Sequence, residues 1–168
     1  MTTSPAVELT LVGPDATTDL GRRIGAAARG VGGVLALSGH LGAGKTTLVK
    51  GLAEGLGVAA ARDVVSPTFL RAVRFDGPVA LVHVDAYRMK GPADIVELGL
   101  DEDMAGGACV AVEWPEMVEG ALPADRLVVR LDHASDERRR AHVSATGPES
   151  ARWLDRIGLA RDPRANSK

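Results

Sequence analysis

Eight residues, Gly39-His40-Leu41-Gly42-Ala43-Gly44-Lys45-Thr46, set three glycines, an ammonium and a hydroxyl at the spacing G-x-x-x-x-G-K-[ST]. Each residue type has a use in holding a polyphosphate. Glycines let the backbone turn tightly and bring successive N–H groups close to an anion. Lys45 supplies positive charge to the β- and γ-phosphates, and Thr46 a hydroxyl to a magnesium ion. A helix over 45–56 would aim its N-terminal dipole at the same phosphates. Leu41, Gly42, Ala43, Gly44 and Thr47, flanking Lys45 and Thr46, complete the cradle expected for ATP and Mg2+.

A phosphate loop also needs a carboxylate, delivered from the end of an adjacent strand. The apolar run 79–84 leads into Asp85, and 109–112 leads into Glu113. One acid can hold the metal with Thr46, directly or through water, while the other orients or deprotonates an attacking water. Residue types leave that assignment open. Lys45, Asp85 and Glu113 are therefore the candidate catalytic set, and Thr46, Asp85 and Glu113 the candidate metal ligands. Ser66-Pro67-Thr68 precedes the next strand, and Pro67 biases Ser66 towards an extended backbone. This is a position where a switch segment can place a hydroxyl on magnesium or the γ-phosphate. By composition it is equally a plain loop. His83 shares a strand face with Asp85 and reads as a structural histidine. Trp114 follows Glu113 and either covers the site or joins the core. His40 contributes its backbone. The run 136–140 reads as a solvated turn, from which one arginine can still reach a nucleotide.

These residues need elements to position them. Val34-Leu35-Ala36-Leu37 is a short apolar run of buried-strand type that feeds the loop. After it, Leu48, Leu52 and Leu56 fall at helical spacing. Alternation predicts a first strand over 7–12, and a helix over 15–29 with Asp15 as N-cap. Apolar runs at 70–75 and 79–84, joined by Asp76-Gly77-Pro78, predict an antiparallel pair. Short helices are expected over 92–98 and 101–105, a buried strand over 108–112, two strands over 127–131 and 140–145, and a last helix over 147–157. The fold class expected is α/β, a three-layer P-loop NTPase-like fold with a mixed central sheet, parallel plus antiparallel. It forms one domain over 1–159, and residues 160–168 make a frayed, flexible tail.

Composition narrows the function classes. The 168 residues carry 20 basic and 22 acidic side chains, so there is no global basic field to grip nucleic acid. A role on RNA would run through a partner or a local patch. Cys109, the only cysteine, excludes an intramolecular disulfide and reads as a buried, inert thiol. There is no secretory-type leader and no apolar window of membrane-spanning length, which predicts a cytoplasmic protein with no membrane partner.

Five segments together closely resemble the TsaE-type ATPases of bacterial tRNA threonylcarbamoyladenosine biosynthesis. They are 39–47, Ser66-Pro67-Thr68-Phe69, His83-Val84-Asp85-Ala86-Tyr87-Arg88, Glu97-Leu98-Gly99-Leu100 and Val112-Glu113-Trp114-Pro115, in matching order across about 9–146. The phosphate loop alone is shared by many families; the Ser-Pro-Thr, Asp-x-Tyr-Arg and Glu-Trp-Pro motifs after it are far more specific. The resemblance implies a small protein that binds and slowly hydrolyses Mg-ATP. It implies work with TsaD and TsaB, which install the threonylcarbamoyl group on adenosine 37 of tRNAs reading codons that begin with A. Contact with tRNA would be indirect, through that complex. By motif, Lys45 and the neighbouring backbone hold phosphates, Thr46 and Glu113 resemble the magnesium pair, Asp85 the second essential acid, and Thr68 the switch hydroxyl. Thr17 matches an N-terminal threonine near the nucleotide, and Arg139 a late arginine that contacts it, with Arg138 as the fallback. His40 departs from the family, which often has Asp there. Two other readings use the same loop. A small-molecule kinase would need an arginine-bearing lid built from helices in the second half, which here reads mostly as strands. An assembly factor would use bound ATP to set its conformation, with hydrolysis incidental.

Overall fold

Apolar residues alternate along the first strand, β1 (Ala6–Val12), so that Leu9 and Leu11 are buried and Glu8 and Thr10 face the other way. The structure, a computed structural model, describes residues 5–165. Helix α1 (Gly13–Ala28) follows without a linker. It starts two residues before the expected N-cap, Asp15. Val12 stands at the cap, Pro14 occupies the first turn where no N–H is needed, and Asp15 lies in the same turn, at the positive helix end. Strand β2 (Gly33–Gly39), the phosphate-loop turn and helix α2 (Lys45–Leu56) come next, as the spacing of Leu48, Leu52 and Leu56 predicts.

The two helices touch backbone to backbone. A Cβ built on Gly21 would lie 2.0 Å from the carbonyl oxygen of Leu48, and one on Gly51 2.0 Å from that of Thr18. Gly25 and Gly55 repeat the contact one turn along, at 2.3 Å from Leu52 O and 2.1 Å from Arg22 O. No side chain fits at any of the four. On the outer flank, Arg22 Nη2 meets Glu54 Oε2 at 2.6 Å.

After a 3-10 turn at Ala61–Asp63, strands β3 (Ala72–Phe75) and β4 (Leu81–Asp85) pair antiparallel, as expected. Helices α3 (Pro92–Val96) and α4 (Leu100–Ala105) lead to β5 (Cys109–Glu113). Strands β6 (Leu127–His133) and β7 (Arg138–Ala145) form a second antiparallel pair, and α5 (Pro148–Ile157) closes the fold. Asp125 accepts hydrogen bonds from the Glu149 and Ser150 backbone N–H groups at the start of α5. All seven strands join one mixed sheet in the order β1-β7-β6-β2-β5-β4-β3. β2 lies between β5 and β6, parallel to both.

Each face of the sheet has its own core. Leu35, Leu37, Leu81, Ala111, Val129 and Val143 pack under α1, α2 and α5. Val34, Val82, Val84, Val110 and Val112 pack against Ile95 of α3 and Leu100 of α4. The second helical layer therefore spans the parallel centre of the sheet. Over β1, β7 and β6 that face is polar, with Glu8 facing Arg140 and His142, and Arg130 facing Asp132. Cys109 is fully buried, and burial pushes its thiol up to about 12, as expected for an inert core thiol.

Residues 160–165 differ from the frayed tail expected. A 3-10 turn at Leu159–Arg161 brings Asp162 between Arg23 of α1 and Arg164. Thr10 N then donates to Arg164 O at 3.3 Å, and Ala165 bridges to Leu9. Complementary charge docks this segment, with Ala165 packed on the core. Residues 166–168 of the expected tail lie outside the described residues.

Candidate functional site

The phosphate-loop glycines all have a backbone that favours glycine. Gly39 ends β2 with φ 144°, Gly42 has φ 77°, and Gly44 precedes α2 with φ 106°. A Cβ on Gly39 would lie 2.5 Å from Leu131 O, so the strand end and β6 meet closely. Leu41 is 81 % exposed and offers the loop only its backbone, whereas Ala43 is buried against the core. Helix α2 begins at Lys45, so its first free N–H groups and the loop share one concavity.

Lys45 is 5 % exposed. Its Nζ donates to Gly39 O at 2.6 Å and His40 O at 2.9 Å, and stands 4.2 Å from the centroid of Trp114. Trp114 therefore covers the site and also packs against the second core, so both of its readings hold. Burial lowers the Lys45 ammonium from its ordinary range, opposed by the charges of Glu113, Glu116 and Asp85. A phosphate drawn into the loop would add negative charge beside it and favour the ammonium further.

Thr46, one residue on, donates from Oγ1 to Glu113 Oε1 at 3.0 Å. Asp85 and Glu113 are direct register partners on the parallel strands β4 and β5, so both acids leave the sheet at the same end. Both are nearly buried. Asp85 holds the segment before β3. Ser66 Oγ donates to its Oδ2 at 2.5 Å and Thr68 Oγ1 at 3.1 Å, while the Tyr87 backbone N–H donates to Oδ1 at 2.9 Å. Thr46, Thr68, Asp85 and Glu113 thus converge at one end of the sheet. Among the described residues no group of three or more His, Cys, Asp and Glu side chains makes a complete metal cage. One hydroxyl and two carboxylates fit a magnesium ion that takes its remaining oxygens from phosphate and water.

Thr17 and Arg139 lie on the other side of the loop. They line a cleft of about 510 Å³ together with Gly42, Ala43, Gly44 and Thr47. Thr17 is buried on α1, and a Cβ on Gly44 would lie 3.4 Å from its methyl group. The close α1–α2 contact sets that distance. Arg139 Nη1 donates to Ser135 O at 3.0 Å and Asp136 O at 3.3 Å, which folds its turn over the cleft mouth. Arg138, the fallback, does not line the cleft.

Three further residues touch Lys45 and Asp85; the sequence singles out Ser66 and Trp114, while Tyr87 appears there only within a motif. Ser66 and Tyr87 sit on Asp85, and Trp114 sits on Lys45. His83 is a fourth, on Glu113. Fully buried, it meets Glu113 Oε1 through Nε2 at 2.8 Å, while its Nδ1 has no hydrogen-bond partner among the described residues. It is a half-satisfied histidine rather than the fully structural one expected. Its position two residues before Asp85 carried the signal.

A profile of the family described as "Threonylcarbamoyl adenosine biosynthesis protein TsaE" matches residues 11–141. The chain is similar to the tRNA threonylcarbamoyladenosine biosynthesis protein TsaE of Streptomyces coelicolor, with 49% identity over 77% of this chain and 88% of that protein. It is similar to the protein of the same name from Bacillus subtilis, with 42% identity over 81% of this chain and 84% of that one. In three dimensions it resembles the crystal structure of Bacillus subtilis YdiB, with a TM-score of 0.77 and 31% identity, covering 96% of this chain and all of that one. Family match, relatives and fold agree, and the chain belongs to the TsaE family of tRNA threonylcarbamoyladenosine biosynthesis proteins.

Proposed function

We propose that this protein binds and slowly hydrolyses Mg-ATP, and that this cycle supports threonylcarbamoylation of adenosine 37 in tRNA by the TsaD–TsaB pair in the cytoplasm. The observation that carries the ATPase reading is the convergence of Lys45, Thr46, Asp85 and Glu113 beside a glycine-shaped loop. Membership of the family supports the pathway. No helix among the described residues is long and apolar enough to cross a membrane.

In this reading the loop backbone and the start of α2 bind the phosphates, with Lys45 neutralising them. Magnesium would screen the charge that develops on the β- and γ-phosphate oxygens. Thr46 and Glu113 would hold it, and Asp85 lies close enough in the sheet to orient water or help hold the ion. Ser66 and Thr68, gripped by Asp85, tie the segment before β3 to the same place. Thr17 and Arg139 flank the cleft on the side away from these acids and would bind the nucleoside end.

Titration calorimetry with ATP and magnesium, together with phosphate release, tests this. Wild type should bind ATP and release phosphate slowly, and Lys45→Ala should lose at least about tenfold in affinity, the loss of one charge-assisted contact. Equal ATP binding by wild type and Lys45→Ala would overturn the reading.

A further inference from the structure

His83 stands between Leu81 and Asp85 on the face of β4 that α2 covers, flanked in register by Val73 and Ala111. Its ring is fully buried. Among the described residues its one hydrogen bond joins Nε2 to Glu113 Oε1 at 2.8 Å, and that same oxygen accepts from Thr46 Oγ1 at 3.0 Å. A buried histidine that only stabilises the core ordinarily has both ring nitrogens hydrogen-bonded. This one leaves Nδ1 unpartnered and spends its single contact on Glu113. A carboxylate accepts only, so Nε2 must carry the proton.

We infer that His83 is a positioning residue: its Nε2–H holds the Glu113 carboxylate in the orientation that meets Thr46, and so sets the affinity of the site for magnesium. The geometry is that of a metal-bound carboxylate steered by a donor behind it. With two donors on Oε1, the Glu113 side chain has little freedom to rotate away from Thr46. Without His83, Thr46 alone restrains it, and Thr46 is itself needed by the metal. The inference rests on the Mg-ATP reading above.

The test measures nucleotide affinity with and without magnesium for wild type, His83→Leu and His83→Gln, alongside their melting temperatures. Leucine fills the volume without a donor, while glutamine can return an N–H to Glu113. His83→Leu should keep its magnesium-free ATP affinity and stay folded, melting within several degrees of wild type, and should need roughly ten- to a hundredfold more magnesium for half-maximal effect. His83→Gln should recover most of that loss. An unchanged magnesium requirement in folded His83→Leu, or a glutamine variant as impaired as the leucine one, would overturn the inference. In case the leucine variant does not fold, 15N NMR of the histidine side chains in wild type gives an independent reading. The His83 proton is expected on Nε2, and an unprotonated Nε2 would overturn the inference. Absence of any magnesium effect in wild type would instead remove the Mg-ATP reading, and the inference with it.

Discussion

Thr46 Oγ1 donates to Glu113 Oε1 across 3.0 Å, linking the first turn of α2 to the end of β5. The bond joins a residue of the phosphate loop to an acid 67 positions away in the chain. It predicts that Thr46→Val, which keeps the shape and removes the hydroxyl, will lower magnesium-dependent ATP affinity by at least about tenfold. Melting temperature should move by only several degrees, since one hydrogen bond to a carboxylate is worth about 1.5–3 kcal/mol. Calorimetry with and without magnesium reads the first, and a thermal melt the second.

Asp85 collects Ser66, Thr68 and the Tyr87 backbone on one carboxylate. Replacing it with alanine removes all three hydrogen bonds at once. Asp85→Ala should loosen the segment 66–71, seen as faster amide hydrogen exchange there while β4 and β5 stay protected. Unchanged exchange over that segment would show that Phe69 and its neighbours are held by something else.

The α1–α2 contact leaves no room for a methyl group. Gly51→Ala would put a Cβ 2.0 Å from Thr18 O, so the helices must separate. The expected cost is about 3 kcal/mol, the upper range for overpacking. Thr17 lies in the same helix one residue before Thr18 and packs on Gly44, so ATP affinity should fall with stability. At half-buried Gly91, where a Cβ meets nothing within 4 Å, the same change should leave affinity alone.

Asp162 docks residues 160–165 through Arg164 and Arg23, whose hydrogen bonds hold its carboxyl well below the ordinary 3.8 despite burial. A carboxylate with a lowered folded value contributes stability fully above its unfolded value and loses it as pH falls below that. Asp162→Asn should therefore destabilise the protein by about 2 kcal/mol at neutral pH. The gap to wild type should narrow as pH drops below 3.8. Urea unfolding at pH 7 and pH 3 measures both ends.

Much of this was legible in the chain, for local reasons. The loop, β2 and α2 follow from glycine spacing, a four-residue apolar run and leucines at helical intervals, all within about two dozen residues. Asp85 and Glu113 could be placed at strand ends because each closes an apolar run. Their adjacency could not, since it depends on β4 and β5 pairing in that register. Distance hides the rest. Thr17 and Arg139 share a cleft because β1 pairs with β7 and α1 packs on α2, and residue type alone carries neither fact. The docked segment at 160–165 was missed because Asp162 finds Arg23 139 positions away. His83 looked like a core residue, and its contact with Glu113 needs the third dimension. Asp15 looked like a cap, but Pro14 and the direct β1–α1 junction move the helix start earlier.

The most direct test of the central claim is tRNA modification over many turnovers, with this protein, TsaD, TsaB, the threonylcarbamoyl-adenylate precursor, tRNA and Mg-ATP. Wild type should sustain threonylcarbamoylation of adenosine 37, and Lys45→Ala should let it stop after the first turnovers. Equal modification by both proteins, with ATP bound only by wild type, would contradict the claim that the phosphate loop serves this reaction.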